Sequence, residues 1–262
     1  MLDILRARFQ QGYRTMAYPK GDAPALPERF RGRPLIEASK CPKGCRECVE
    51  ACPTDAILPV GKDLKLDLGK CLFCTDCLEA CPEGAVQYSG DYRLAADSRE
   101  NLVVAPSEEL ELAKALEEKL LRLFGRSLKL RQVSAGGCNG CEADVNVLGT
   151  VGWDLGRFGI QMVASPRHAD GLLVTGCVTE NMKLALEKAY AAVPAPKIVI
   201  AVGACAISGG PFLHNPQQHH GAESVVPVDL FIPGCPPHPL SILDGLLRLL
   251  GRIEEKSVRT RK

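Results

Sequence analysis

Short apolar runs alternate with segments of helical period in the second half of the chain. We predict the apolar runs as strands because Gly or Pro bounds them, and they cover residues 128–133, 159–164, 171–175, 197–202 and 228–232. Residues 179–192 and 238–250 repeat apolar positions at helical spacing. Alternating strands and helices predict a largely parallel sheet that is covered by helices on both faces.

Two helices are predicted outside this alternating region. The N-terminal one is amphipathic, with arginines among apolar positions that recur every three or four residues, namely Leu2, Leu5, Phe9, Tyr13 and Met16. Such a helix can lie on a membrane surface or on a partner protein, and we favour the partner. The second helix is predicted over residues 107–124, a Glu-, Lys- and Leu-rich stretch in which Ser107 is placed to cap the first turn.

Composition narrows the classes of function. The chain has 262 residues, of which 32 are Lys or Arg and 31 are Asp or Glu, so the net charge is +1. This balance argues against a nucleic-acid binder that relies on a basic surface. No apolar run reaches the roughly 18 residues that a membrane helix needs, and the N-terminus lacks the apolar core of a secretory signal. We therefore expect a chain that works in the reducing cytoplasm.

Cysteine is the unusual residue, with 13 copies. An odd number excludes complete pairing in disulfides, and clustered cysteines in a reducing compartment more often bind metal. Eight of them form two similar runs, each closed by a proline: Cys41, Cys45, Cys48 and Cys52, then Cys71, Cys74, Cys77 and Cys81. Three thiolates on one short loop can coordinate three iron atoms of a cubane cluster. The proline after the fourth cysteine directs that cysteine away from the same cluster. The repeat indicates a duplicated unit.

These runs resemble the bacterial two-[4Fe-4S] ferredoxin family. The resemblance implies an α+β ferredoxin-like domain in which the fourth cysteine of each run serves the other cluster. Cluster 1 would then be held by Cys41, Cys45, Cys48 and Cys81, and cluster 2 by Cys52, Cys71, Cys74 and Cys77. The first gap of the first run has three residues instead of two, and Gly44 could absorb the extra turn. Two zinc sites are the alternative, but zinc ribbons place their cysteine pairs about a dozen or more residues apart.

Four of the remaining cysteines follow predicted strands. Cys138 and Cys141 come after the first strand, Cys205 after the fourth and Cys235 after the fifth. The carboxyl ends of parallel strands meet at one edge of the sheet, where sites are built in open α/β folds. Four thiolates from three loops can therefore meet there, although single cysteines are often small buried apolar residues. Cys177 also follows a strand, and we interpret it as an inert buried thiol.

The segments around these cysteines resemble the small-subunit family of [NiFe] hydrogenases, which also includes the cluster-bearing subunit of respiratory complex I. The motifs are Gly-Gly-Cys138-Asn-Gly-Cys141-Glu142, Ser165-Pro-Arg-His-Ala-Asp170, Gly203-Ala-Cys205 and Pro233-Gly-Cys235-Pro-Pro. The complex I version has adjacent cysteines at the first motif, so Cys-Asn-Gly-Cys favours membrane-associated, energy-converting hydrogenases such as formate hydrogenlyase. The resemblance implies an α/β flavodoxin-like domain and a third [4Fe-4S] cluster, nearest the partner's active site, on Cys138, Cys141, Cys205 and Cys235.

Glu142 directly follows Cys141 and has two interpretations. It could relay protons towards a catalytic partner. Alternatively, it is a carboxylate in the first turn of a helix, where it suits the helix dipole. The residue pattern fits both.

The expected organisation has an N-terminal amphipathic segment, a two-cluster ferredoxin domain, a helical linker, a hydrogenase-small-subunit-like domain and a basic tail, over residues 1–30, 31–95, 96–127, 128–252 and 253–262. The resemblance implies an electron-transfer subunit of an oxidoreductase that is not catalytic by itself. Its partners would be a large catalytic subunit, membrane-arm subunits and formate dehydrogenase, CO dehydrogenase or another ferredoxin. It would lie on the cytoplasmic face of the inner membrane through its complex. The alternatives are a complex-I-like subunit whose partner lacks Ni-Fe, and a freestanding ferredoxin-type carrier.

Overall fold

The structure, a computed structural model, describes residues 2–12, 14–21, 24–61, 63–106 and 108–253. Its strands are β1 (Pro34–Ile36), β2 (Ile57–Val60), β3 (Asp63–Asp67), β4 (Val86–Tyr88), β5 (Val103–Val104), β6 (Leu128–Ser134), β7 (Ile160–Met162), β8 (Gly171–Thr175), β9 (Ile198–Val202) and β10 (Leu230–Ile232). Its helices are α1 (Leu2–Gln11), α2 (Glu47–Glu50), α3 (Asp76–Glu79), α4 (Glu118–Phe124), α5 (Gly140–Val147), α6 (Glu180–Ala192), α7 (Ala204–Ser208) and α8 (Pro239–Leu249). In the described residues, no helix is both long and apolar enough to cross a membrane. Nearly all of the predicted basic tail lies outside these residues.

The C-terminal half forms a five-stranded sheet in which neighbouring strands are parallel. Its order is β7-β6-β8-β9-β10, so the chain first adds a strand on one side of β6 and then crosses to the other side. This is the order of doubly wound, flavodoxin-like sheets. β8 and β9 are buried along their whole length, as expected for strands covered on both faces. The prediction of an α/β domain with a mostly parallel sheet is confirmed.

The N-terminal half contains two small antiparallel sheets and two single-turn helices. β1 pairs with β4, and β2, β3 and β5 form the second sheet. α2 carries Cys48, the third cysteine of the first run, and α3 carries Cys77, the third cysteine of the second. Each helix is followed by a strand, so the repeat in the sequence is also a repeat in the structure. The ferredoxin-like assignment of this half stays a prediction.

The prediction of a helix over residues 107–124 is wrong for most of its length. Only α4 is helical within it, and Ser107 lies outside the described residues. The backbone N–H of Ala113 donates to the carbonyl oxygen of Ala95 at 2.8 Å. In a helix this N–H would bind a carbonyl four residues earlier. Contacts with neighbouring segments therefore override a composition that favours helix.

α1 is also shorter than its apolar pattern predicts. It ends at Gln11, and Gly12 follows with φ +61°, a left-handed conformation that commonly terminates helices. The Met16 N–H then donates to the carbonyl oxygen of Gly152 at 3.0 Å, which ties the chain to the C-terminal half. Tyr13 lies outside the described residues. The large apolar side chains of α1 are exposed.

The two halves share a packed interior. Leu68 and Leu102 of the N-terminal half belong to the same buried apolar cluster as Phe231 in β10. Ser208, at the end of α7, donates from its hydroxyl to the carbonyl oxygen of Gly69 at 2.9 Å. Because α7 directly follows β9, the cysteine-rich half is fixed against the carboxyl edge of the parallel sheet.

Candidate metal centres

The carboxyl edge of the parallel sheet brings four cysteines together. Cys138 lies between β6 and α5, Cys141 lies in the first turn of α5, Cys205 lies in α7, and Cys235 follows β10. Burial raises the pKa of Cys205 to about 12, with nearby thiols, Cys235 and Cys138 among them, contributing. Burial also raises the pKa of Cys141, again with help from the other three thiols. These effects, to which Cys177 also contributes at Cys205, place the thiols near one another. We call Cys138, Cys141, Cys205 and Cys235 the third group.

Two glycines let the backbone approach these sulfur atoms closely. A Cβ on Gly203 would lie 2.4 Å from Cys141 Sγ, and one on Gly210 would lie 2.9 Å from Cys205 Sγ. Both glycines have left-handed backbones, with φ of +92° and +54°, which glycine adopts without strain. The space beside the sulfur atoms is therefore kept free of other side chains.

The first group lies in the N-terminal half and lines one cavity. Its members are Cys41, Cys45, Cys48 in α2, and Cys81, which follows α3. Burial raises the pKa of Cys48 to about 11, and the other three thiols contribute. Gly44 has φ +80° with no atom within 4 Å of the position that a Cβ would take. It makes the turn that the longer first loop needs.

The second group lines a neighbouring cavity and consists of Cys52, Cys71, Cys74 and Cys77. Burial raises the pKa of Cys71 to about 12, although a hydrogen bond from the Phe73 N–H acts to lower it. That N–H lies 3.4 Å from Cys71 Sγ, and the Ala56 N–H donates to Cys52 Sγ at 3.2 Å. Backbone N–H groups therefore point at the sulfur atoms.

The three groups fit iron-sulfur clusters better than single metal ions. Each offers four thiols, and thiolate is the soft ligand that iron-sulfur clusters use. Among the residues that the structure describes, no three His, Cys, Asp or Glu side chains are arranged to hold one metal ion. Crowded thiolates repel one another, and a positively charged iron core removes this penalty. The N–H groups aimed at sulfur are also typical of cluster sites.

The second group is adjacent to each of the other two groups. Cys77 of the second group is among the neighbours that raise the pKa of Cys48 in the first group, after burial and Cys41. Cys74 of the second group likewise contributes to the raised pKa of Cys235 in the third group, after burial and Cys138. Phe73, next to Cys74, also lines one cavity with Cys235, so the second group neighbours both other groups.

Glu142 is buried in the first turn of α5 and is held by two hydroxyl groups. Its Oε1 accepts hydrogen bonds from Ser134 Oγ at 2.5 Å and Thr175 Oγ1 at 2.7 Å. Burial acts to raise its pKa, but these hydrogen bonds outweigh burial and lower the pKa below its usual value. Because Ser134 ends β6 and Thr175 ends β8, the carboxylate links both strands to α5. This geometry supports the structural interpretation, and the proton relay stays a prediction.

Cys177 lies at the same edge but makes a different contact. It is 2% exposed, and its thiol donates to the carbonyl oxygen of Gly136 at 3.4 Å. Burial raises its pKa. Buried thiols with raised pKa values react slowly, which agrees with its interpretation as an inert residue.

Two residues that contact the second group are not indicated by the sequence. The Tyr88 hydroxyl lies 3.7 Å from Cys77 Sγ, and the Arg31 guanidinium binds the loop that carries Cys74. Both come from segments outside the cysteine runs. The sequence holds no signal for either, because only the packing of β1 and β4 beside the loop brings them there.

Two family models match the chain. One is described as NADH ubiquinone oxidoreductase, 20 Kd subunit, and matches residues 138–249. The other is described as a 4Fe-4S dicluster domain and matches residues 33–98. The 20 Kd subunit match contains the cysteines of the third group. The dicluster match contains those of the first and second groups.

Curated relatives and a solved structure are similar to the chain. The probable membrane-bound hydrogenase subunit mbhJ of Pyrococcus furiosus is 42% identical over 56% of this chain and 87% of that protein. Formate hydrogenlyase subunit 7 of Escherichia coli is 42% identical over 60% of this chain and 61% of that protein. A subunit of the NADH-quinone oxidoreductase of Clostridium beijerinckii is 44% identical over 43% of this chain and 68% of that protein. A chain of the membrane-bound sulfane sulfur reductase, an archaeal respiratory membrane complex, has 33% identity and a TM-score of 0.46, over 54% of this chain and 78% of its own.

The resemblance drawn from the cysteine motifs is confirmed by these matches. The relative from Pyrococcus furiosus is matched over most of its length at 42% identity. The dicluster match adds a second unit in front of the shared domain. The chain therefore belongs to the family of the NADH ubiquinone oxidoreductase 20 Kd subunit and carries a 4Fe-4S dicluster domain in its N-terminal half.

Proposed function

We propose that the chain is the electron-transfer subunit of a multisubunit, membrane-associated [NiFe] hydrogenase of the formate hydrogenlyase type. The observation that carries this proposal is the set of three four-cysteine groups, of which the second neighbours both others. When bound, [4Fe-4S] clusters take up and release single electrons. The protein supplies their position, their surroundings and the exclusion of water. The chain has this role within an oxidoreductase and is not catalytic by itself.

The proposal assigns one [4Fe-4S] cluster to each group, three in all. The first and second groups form the two-cluster unit of residues 31–95, and the third belongs to the domain of residues 128–252. The assigned ligands are Cys41, Cys45, Cys48 and Cys81, then Cys52, Cys71, Cys74 and Cys77, and finally Cys138, Cys141, Cys205 and Cys235. Their grouping in the structure supports this assignment.

A catalytic partner is proposed to cover the third group. Cys138 and Cys235 are exposed, whereas Cys205 of the same group is buried. A cluster held there would face solvent unless another chain covered it. The relatives named for membrane-bound hydrogenase and formate hydrogenlyase support a large Ni-Fe subunit as this cover. Membrane-arm subunits would then hold the chain at the cytoplasmic face of the membrane, with formate dehydrogenase, CO dehydrogenase or another ferredoxin exchanging electrons at the far end.

Elemental analysis of the native complex tests the proposal. The complex is isolated anaerobically through a tag on this chain, and nickel and iron are measured per copy. We expect about one nickel, with iron above the roughly 12 atoms of three cubanes. Iron well below this value together with zinc would overturn the three-cluster assignment.

A complex-I-like oxidoreductase without Ni-Fe is the second candidate. The identity of 44% to a protein of an NADH-quinone oxidoreductase supports it, while the spacing Cys138-Asn-Gly-Cys141 favours the hydrogenase type. Iron near 12 atoms without nickel, in a complex with partner subunits, would select this candidate. A freestanding ferredoxin-type carrier would instead elute as a monomer without partners, and the exposed cysteines of the third group argue against it.

A further inference from the structure

The loop of the second group has an unfavourable backbone conformation. Phe73 and Thr75, which flank Cys74, have φ of +55° and +91°. Residues other than glycine rarely adopt this left-handed backbone conformation, and β-branched residues such as threonine adopt it least readily. In the first group, Gly44 makes the left-handed turn with φ +80°. The second loop has no glycine for this purpose, so its conformation depends on contacts, which include those within the run from Thr75 Oγ1 to Glu79 and from the Phe73 N–H to Cys71 Sγ.

Arg31 provides such a contact. Its Nη1 donates to the carbonyl oxygen of Phe73 at 2.8 Å and to that of Cys74 at 2.9 Å. Hydrogen bonds from a charged donor are stronger than those between neutral groups. Arg31 lies in the segment before β1 and belongs to neither cysteine motif. Arg31 thus binds the carbonyl of the strained Phe73 and the carbonyl of Cys74, which directly precedes the strained Thr75.

This loop faces the third group. Arg31 and Phe73 line a cavity together with Cys235 and Pro236. Leu72 and Phe73, which directly precede Cys74, both line this cavity. The guanidinium therefore lies at the junction between the second and third groups.

We propose that Arg31 is a positioning residue that holds the loop of Phe73 and Cys74 at this junction and so sets the contact between the second and third clusters. The inference rests on the proposed function, because it requires a cluster at both groups. It assigns a role to a residue outside all three ligand sets. The role is geometric, since the two carbonyls it binds belong to the loop that lines one cavity with Cys235.

Arg29 offers a matched control. It lines the same cavity and carries the same charge, but no hydrogen bond from Arg29 to the loop occurs among the described residues. Arg31→Met removes the charge and both hydrogen bonds, Arg31→Lys keeps the charge with a single donor group, and Arg29→Met removes a charge alone.

Each variant is purified in its native complex. Iron content is measured, and reduced samples are examined by electron paramagnetic resonance for the line width of the second cluster and its spin–spin splitting by the third.

We expect Arg31→Met to broaden the signal of the second cluster and to change or abolish the splitting, while Arg29→Met leaves both as in the wild type. Arg31→Lys should keep the iron content but show the broadened signal, because a point charge cannot reproduce the arginine geometry. Loss of the second cluster in Arg31→Met alone would also support the proposal. Spectra of Arg31→Met that match those of Arg29→Met would overturn it. Wild-type complex with iron well below about 12 atoms would instead refute the proposed function.

Discussion

Replacing Gly203 with alanine tests whether the carboxyl edge of the sheet holds a cluster on four cysteines. The new Cβ would lie 2.4 Å from Cys141 Sγ, whereas nonbonded heavy atoms rest about 3.5–4.0 Å apart. Cys141 must therefore move by about 1 Å or more, several times the tolerance of about 0.2 Å for metal-ligand distances. The backbone of Gly203, with φ +92° and ψ 154°, lies in a region that is essentially restricted to glycine and adds about 1–3 kcal/mol of strain. We expect the variant to lose the third cluster, which is about four of roughly twelve irons.

Gly61→Ala is the control for backbone strain alone. Gly61 joins β2 to β3 with φ +63°, and no atom lies within 4 Å of the position that its Cβ would take. The variant should keep all its iron, because its backbone is strained but no ligand is displaced. Both complexes are purified anaerobically and compared by iron analysis and electron paramagnetic resonance. A Gly203→Ala complex with wild-type iron and an unchanged signal from the third cluster would refute the assignment of Cys141.

Four further substitutions have defined outcomes. Cys205→Ser should lower the iron content by about four atoms per chain, whereas Cys177→Ser, at the same sheet edge, should leave it unchanged; equal losses would contradict the interpretation of Cys177. Tyr88→Phe removes the hydroxyl beside the second group, and losing a hydrogen bond to sulfur should lower the reduction potential of that cluster. A redox titration checks this, and an unchanged potential would argue against the contact. Asp244→Asn leaves the buried Arg248 without the carboxylate that it binds at 2.7 Å and should cost about 3–5 kcal/mol, which thermal unfolding would show as a lower midpoint.

The strands and cysteine sites that could be predicted are those that depend on the pattern of neighbouring residues along the sequence. The apolar run at residues 171–175 coincides with β8, and the run at 197–202 contains β9. Because parallel strands share one carboxyl edge, cysteines that follow different strands can be expected to meet there. Cys138, Cys141, Cys205 and Cys235 do meet, although their side chains come from three loops that are far apart in the sequence.

The parts that could not be predicted depend on packing between distant segments. The stretch before α4 has a composition typical of helix, yet Ala113 bonds to Ala95 instead of to its own turn. Arg31 has no motif that marks it, and its role becomes visible only when the segment before β1 lies beside Phe73. A pattern read along the chain records neither contact, because each joins residues with no regular spacing.

The junction between the second and third groups is fixed by the fold and not by the docking of separate proteins. Gly69 lies two residues before Cys71, and a Cβ at this position would be 2.7 Å from the Cγ2 of Ile207 in α7. The carbonyl oxygen of Gly69 also accepts the hydrogen bond from Ser208, at the end of the same helix. Since α7 carries Cys205, the backbone of the second group packs directly against the helix of the third. A larger residue at position 69 would collide with the side chains of Ile207 and Arg99, so this close packing depends on a glycine that belongs to neither ligand set.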